Sequence, residues 1–277
     1  MALDINPLLF NSLVAGCFGG TVLFALFFVQ SEPLKKAVQG LAVGGALLGF
    51  WLSSHLIYPR YQGWEFERSL RAEPLFGLIA KTHPQAFAAF LDQAKVQLYH
   101  AKEGAAPASV TQFSQNLVNV IFRQHLQHAP DENIRLYLKA TLDLYHHLNG
   151  QDPIAVVKLE TGDEKIPYNL NNLWNDKSFR ALLLHLLDTK KFLIEAALKN
   201  PVAQGFDSET PKAIQGVQQA LEDQYGTVVV RGAFKPGSTV APGVAAKVII
   251  DFYTAILDQG NEQSARMMRY IAHQQKA

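Results

Sequence analysis

Three observations predict an all-α protein, built as an N-terminal two-helix transmembrane hairpin followed by a helical-bundle soluble domain. Two long apolar stretches, 5–31 and 37–58, lie side by side at the start of the 277-residue chain and have no counterpart later. Beyond residue 64, apolar residues recur at helical spacing in segment after segment, bounded by proline, glycine or capping side chains. Only 227–231, with three successive valines, reads as a strand, and one strand makes no sheet.

Each apolar stretch exceeds the ~20 residues a helix needs to cross a hydrocarbon core of ~30 Å. Helices are therefore expected over about 8–30 and 37–58, within a hairpin domain 1–60. The link Glu32-Pro33-Leu34-Lys35-Lys36 is long enough only to turn the chain back. Gly16 and Gly20, Gly40 and Gly44, and Gly45 and Gly49 are spaced four apart, so they line helix faces where another backbone can approach closely. Such faces suit packing of the two helices on each other, or on another membrane protein. Neither stretch contains Asp, Glu, Lys or Arg, which argues against an ion pathway; His55 falls about one turn from the exit. Trp51, Tyr58, Tyr61 and Trp64, joined by Arg60, form an aromatic belt at the membrane interface.

Val14-Ala15-Gly16-Cys17 loosely resembles the lipobox of bacterial lipoproteins. The preceding segment carries Asp4 instead of positive charge, however, and the chain stays apolar through Phe24, so an uncleaved hairpin is expected. The sole cysteine, Cys17, lies in this stretch, leaving no disulfide or thiolate chemistry for the rest.

Only Lys35, Lys36, Asp4 and Glu32 carry charge before residue 59, leaving 23 basic and 22 acidic residues beyond it. With no basic run in the sequence, neither a nucleic-acid partner nor a polybasic lipid-binding patch is expected. Arg60, Arg68 and Arg71 on one side of the hairpin oppose Lys35 and Lys36 on the other, which decides orientation weakly. The absence of an export signal tips the domain to the cytoplasmic side of a bacterial-type inner membrane.

Within 61–277, helices are expected over 84–103 (Phe87, Phe90, Leu91, Ala94 and Leu98 inward) and from a capping box at Ser109-Val110-Thr111-Gln112. Pro130-Asp131 opens a third, with Ile134, Leu138 and Tyr145 inward and Gly150 at its end. Irregular chain follows from 151 to 175, a candidate boundary between two subdomains. Helices resume over 176–200, 210–225, 242–257 and 261–273, the last two separated by Gly260.

Two constellations suggest chemistry. Gly232-Ala233-Phe234-Lys235-Pro236-Gly237-Ser238-Thr239 approaches the phosphate loop G-x-x-x-x-G-K-[ST], but Ser238 stands where lysine is required and Pro236 lacks an amide. A Gly/Pro connection between helices is expected instead. The histidines offer the other: if the helices fold back at Pro130, His100, Asp143 and His146 or His147 fall at one end and form a candidate metal or acid–base site. No recognised ligand motif supports it, since neither H-E-x-x-H nor paired E-x-x-H occurs. Trp174 and Phe179 are a candidate aromatic anchor, with core packing the simpler role.

The expected function is a non-catalytic, membrane-anchored subunit or adaptor of a multiprotein assembly, without cofactor. Its partners would be the bilayer, other membrane or membrane-associated proteins and, in a homo-oligomer, further copies. The alternative is a membrane-bound enzyme using the histidine/carboxylate site on a lipid or membrane-associated substrate.

Overall fold

The computed structural model describes residues 58–100, 108–163, 166, 173, 175–203 and 205–274, together with 11, 12, 14, 47, 50 and 53. Among them every regular element is helical, eleven helices in all, so the all-α class stands. No described helix is long and apolar enough to cross a membrane. The two expected spans, with Gly16, Gly20, Gly40, Gly44, Gly45, Gly49 and Trp51, lie outside the described residues apart from those single positions. The chain divides into two compact units, 1–117 and 118–277, and the irregular stretch 151–175 falls within the second.

In the first unit, α1 (Tyr58–Ala72), α2 (Pro74–Thr82) and α3 (Pro84–His100) pack on one another. Glu73 starts α2 by accepting the Phe76 amide at 2.9 Å, with Pro74 in the first turn where a missing amide costs nothing. Gly77 lets α2 close on α1, because a Cβ there would stand 2.7 Å from the Arg71 carbonyl oxygen. Phe90 gathers the rings of Phe66, Phe76 and Phe87 at 6.1–6.5 Å, above the buried Leu75 and Ile79.

The second unit is organised around α5 (Asp131–Gln151), on which α6 (Pro153–Thr161), α7 (Lys177–Lys199), α10 (Pro242–Leu257) and α11 (Asn261–Gln274) all pack. The buried stripe Ile134, Leu138, Tyr145 and Leu148 explains that role, since its spacing presents one broad face to several neighbours. The remaining helices are α4 (Ala108–Leu126), within which the two units divide, α8 (Thr210–Tyr225) and α9 (Thr227–Ala233). Arg269 of α11 is only 2% exposed and donates to the Ala129 carbonyl at 2.6 Å and to Asp131, closing the turn before α5. Gly205 leaves it room: a Cβ there would meet Nη1 at 2.7 Å.

Two expectations are corrected. The valine run 227–231 is helix α9, not a strand. Gly226, at φ 86°, turns the chain directly out of α8, and its carbonyl accepts the Val229 and Val230 amides at 3.1 Å. A lone strand would leave its amides unpaired, whereas the helix satisfies them and buries Val230 and Ala233. The irregular region also contains a helix, α6. Pro153 reads as a breaker but occupies the first turn, and the Asp152 carboxylate caps it by accepting the Ile154 amide at 3.1 Å.

Candidate functional site

The most chemically loaded place in the second unit is a carboxylate among phenols. Glu160, at the end of α6, accepts Tyr145 Oη–H on Oε2 and Tyr253 Oη–H on Oε1, each at 2.8 Å. Tyr145 comes from α5 and Tyr253 from α10, and their rings meet edge-on at 6.1 Å. One acid thus ties three helices. Beside it, Lys190 of α7 holds its ammonium 5.2 Å from the Phe122 ring and 5.9 Å from the Tyr137 ring, which themselves lie 4.6 Å apart. No ion pair joins Lys190 to Glu160 among the described residues; the ammonium acts on the acid at longer range.

Burial dominates the titration of all these groups. It raises the Glu160 carboxyl, against the lowering effect of both phenols and of the Lys190 charge. Burial and the neighbouring Glu160 charge hold Tyr145 and Tyr253 well above the usual phenol range and push Tyr137 up to about 12. Burial brings Lys190 down to about 8, although Glu160 pulls it up. Chemically the cluster offers an acid of raised pKa and an amine of lowered pKa. Both oxygens of the acid, however, are already occupied by protein donors.

The second polar centre contains a histidine singled out above. His147 Nε2 lies 2.7 Å from Asp176 Oδ2, and Gln151 Nε2 donates to the same oxygen at 2.6 Å. Asp176 Oδ1 accepts the Ser178 amide at 2.8 Å, so this carboxylate caps α7 while bonding α5. The His147 bond, then Gln151 and the cap amides, lower Asp176 to about 2. Asp143 and His146 are exposed on α5, and no group of three or more His, Cys, Asp or Glu among the described residues is arranged to hold a metal. His100 ends α3 in the first unit, and its side chain lies outside the described residues. The structure thus pairs His147 with a helix cap instead.

The phosphate-loop likeness is answered by a single bond. The Gly237 amide donates to Asp163 Oδ2 at 2.6 Å, so a carboxylate occupies the place where a phosphate would be cradled. Gly232 is also filled in, since a Cβ there would meet Val240 Cγ2 at 2.5 Å. Phe179 is core, 3% exposed, while Trp174 and the side chain of Tyr58 lie outside the described residues. Of the expected aromatic belt, Arg60 and Trp64 are exposed and Tyr61 is half-buried. A groove of about 250 Å³ between α8 and α10 is lined by residues that include Val217, Leu221, Gln224, Asp251 and Asp258, none of which belongs to either polar centre.

The sequence matches no protein-family model, and no curated protein or solved structure is similar to it.

Glu160, Lys190 and Tyr253 were not among the sequence-predicted site residues. One signal for Lys190 exists: it falls on the buried register of α7, four after Leu186 and three before Leu193. A lysine there must be stacked, paired or neutral. Glu160 carries no such signal, because its stretch of sequence reads as irregular chain.

Proposed function

We propose that this chain is a membrane-anchored, non-catalytic subunit or adaptor, held by its N-terminal hairpin and using its helical domain for protein contacts. The observation that carries the anchor is a bond between the two apolar stretches. Ser53 Oγ–H donates to Asn11 Oδ1 at 2.6 Å across 42 residues, and their midpoint falls in the 32–36 link, as an antiparallel hairpin requires. Asn11 and Ser53 are buried, at 6% and 0% exposure, while Leu47 is 67% exposed. A polar pair satisfied inside, with Leu47 outside, is what a hydrocarbon solvent selects, and the neighbouring Ser12, though exposed, is small enough to bond its own helix backbone.

The adaptor role is supported by apolar side chains left on the surface of the second unit. Leu184, Phe192 and Leu198 are exposed on α7, and Leu136 on α5. In the same proposal the domain lies on the cytoplasmic side of a bacterial-type inner membrane.

Two experiments test this. In a Cys17→Ser background, the Asn11→Cys/Ser53→Cys pair should cross-link on mild oxidation, and the protein should resist alkaline carbonate extraction. Purification of tagged protein from its native membrane in mild detergent should recover a few stoichiometric partners. Carbonate release would refute the anchor, and recovery of the chain alone would refute the adaptor role.

A further inference from the structure

We infer that α1 is an anionic-phospholipid binding surface, using Arg60, Trp64, Arg68 and Arg71 to hold phosphate headgroups against the membrane from which the chain emerges. This rests on the membrane anchor proposed above and names the lipid chemistry that its border selects.

The stripe is continuous. Residues 60, 64, 68 and 71 are spaced by four, four and three, which gathers them within roughly 80° of the helix circumference at ~100° per residue. All four are exposed, Trp64 at 55%. The other side of α1 is committed to protein: Gly63 is buried, and Phe66 packs on Phe90 of α3. Arg71 lies 5.0 Å from the Phe87 ring of α3; the rest of the stripe, Arg60, Trp64 and Arg68, is what α1 leaves uncovered by its own unit.

Its chemistry suits a headgroup layer. The Arg68 guanidinium lies 5.4 Å from the centre of the Trp64 indole, which makes a flat plate with an apolar face and charged donors at its edge. Tyr61 adds a second ring 6.3 Å from Trp64. Tryptophan and tyrosine settle at the depth where hydrocarbon meets headgroup, and arginine binds phosphate through a planar fork of donors.

The acids on α1 do not cancel this charge. Glu67, at the edge of the stripe, is held by Lys95 of α3 at 2.7 Å and by Arg71 at 3.0 Å. Glu65 projects roughly 100° away from Trp64 at one residue's rotation. Arg60 and Arg68 have no carboxylate partner among the described residues. Charge complementarity therefore favours an anionic lipid over a zwitterionic one.

The test uses full-length protein reconstituted in phosphatidylcholine vesicles with a minor fraction of brominated lipid, either phosphatidylglycerol or phosphatidylcholine. Trp51→Phe and Trp174→Phe leave Trp64 as the reporter; subtracting a Trp64→Phe variant from otherwise unaltered protein serves if that background folds poorly. Brominated phosphatidylglycerol should quench Trp64 more strongly, with about fivefold local enrichment for each arginine that reaches a phosphate. The Arg60→Gln/Arg68→Gln variant should bring the two lipids to parity. Equal quenching by both lipids, unchanged in that variant, with the protein still resistant to carbonate, would overturn the stripe and keep the anchor. Carbonate release with preferential anionic quenching retained would overturn the anchor and keep the stripe.

Discussion

Glu160→Ala is the most demanding test of how the second unit is held together. The substitution deletes the acceptor for both Tyr145 and Tyr253, whose hydroxyls each sit 2.8 Å from a different carboxylate oxygen. A buried donor left without a partner costs about 1–3 kcal/mol, so the two together give a range of about 2–6. Glu160 and Tyr253 keep some accessible area through which water reaches them, which places the expectation near the lower half, at roughly 3 kcal/mol. Glu160→Gln should cost less, about 1 kcal/mol, because its carbonyl accepts from one phenol while its amide donates to the other. The assay is urea unfolding of the detergent-solubilised protein followed by circular dichroism. The difference should also depend on pH. Glu160 is raised in the folded state, so its contribution is fully present below the unfolded value near 4.5 and is lost as pH rises through the folded value. The cost of Glu160→Gln should therefore be greatest at acid pH and shrink toward neutrality. A loss below about 0.5 kcal/mol for Glu160→Ala, the range of an ordinary surface change, would refute the reasoning.

Lys190 is lowered to about 8, so its contribution is present above the unfolded value near 10.5 and lost as pH falls through about 8. Lys190→Met should raise stability at pH 7 by about 1–2 kcal/mol and flatten the slope between pH 8 and 10; destabilisation would mean that attraction to Glu160 and the rings outweighs desolvation. Asp176 is lowered to about 2, so its stabilisation is present above the unfolded value near 3.8 and disappears as pH falls through about 2. His147→Ala should narrow that acid window and speed hydrogen exchange at the amides of Ser178 and Phe179, with the far end of α7 unaffected. Arg269→Leu should cost about 3–5 kcal/mol in the same unfolding assay, because Asp131 loses its partner and the Ala129 carbonyl its donor. Purified protein should hold no stoichiometric metal that is lost on His146→Ala or His147→Ala; such a metal by elemental analysis would revive the enzyme alternative.

By itself the sequence determined the all-α class and the place of the longer helices from α3 onward, but not α1, whose first residue it assigns to the end of the second apolar stretch. Amphipathic stripes, as in Ile134, Leu138 and Tyr145, and helix stops, as at Pro201, are local properties that survive in any all-helical packing. Tertiary structure decided three things that no spacing encodes. It turned 227–231 into helix, because three valines have weak backbone preference and α10 offered them a face to pack on, with no neighbouring strand among the described residues. It gave His147 to Asp176, 29 residues away, where a cap and a neighbouring helix happen to coincide. And it brought Glu160 to Tyr253 across 93 residues. A buried acid is intelligible only once its donors are known, and those donors come from helices whose mutual placement is set by burial of apolar faces, which is strong but carries no residue-to-residue code.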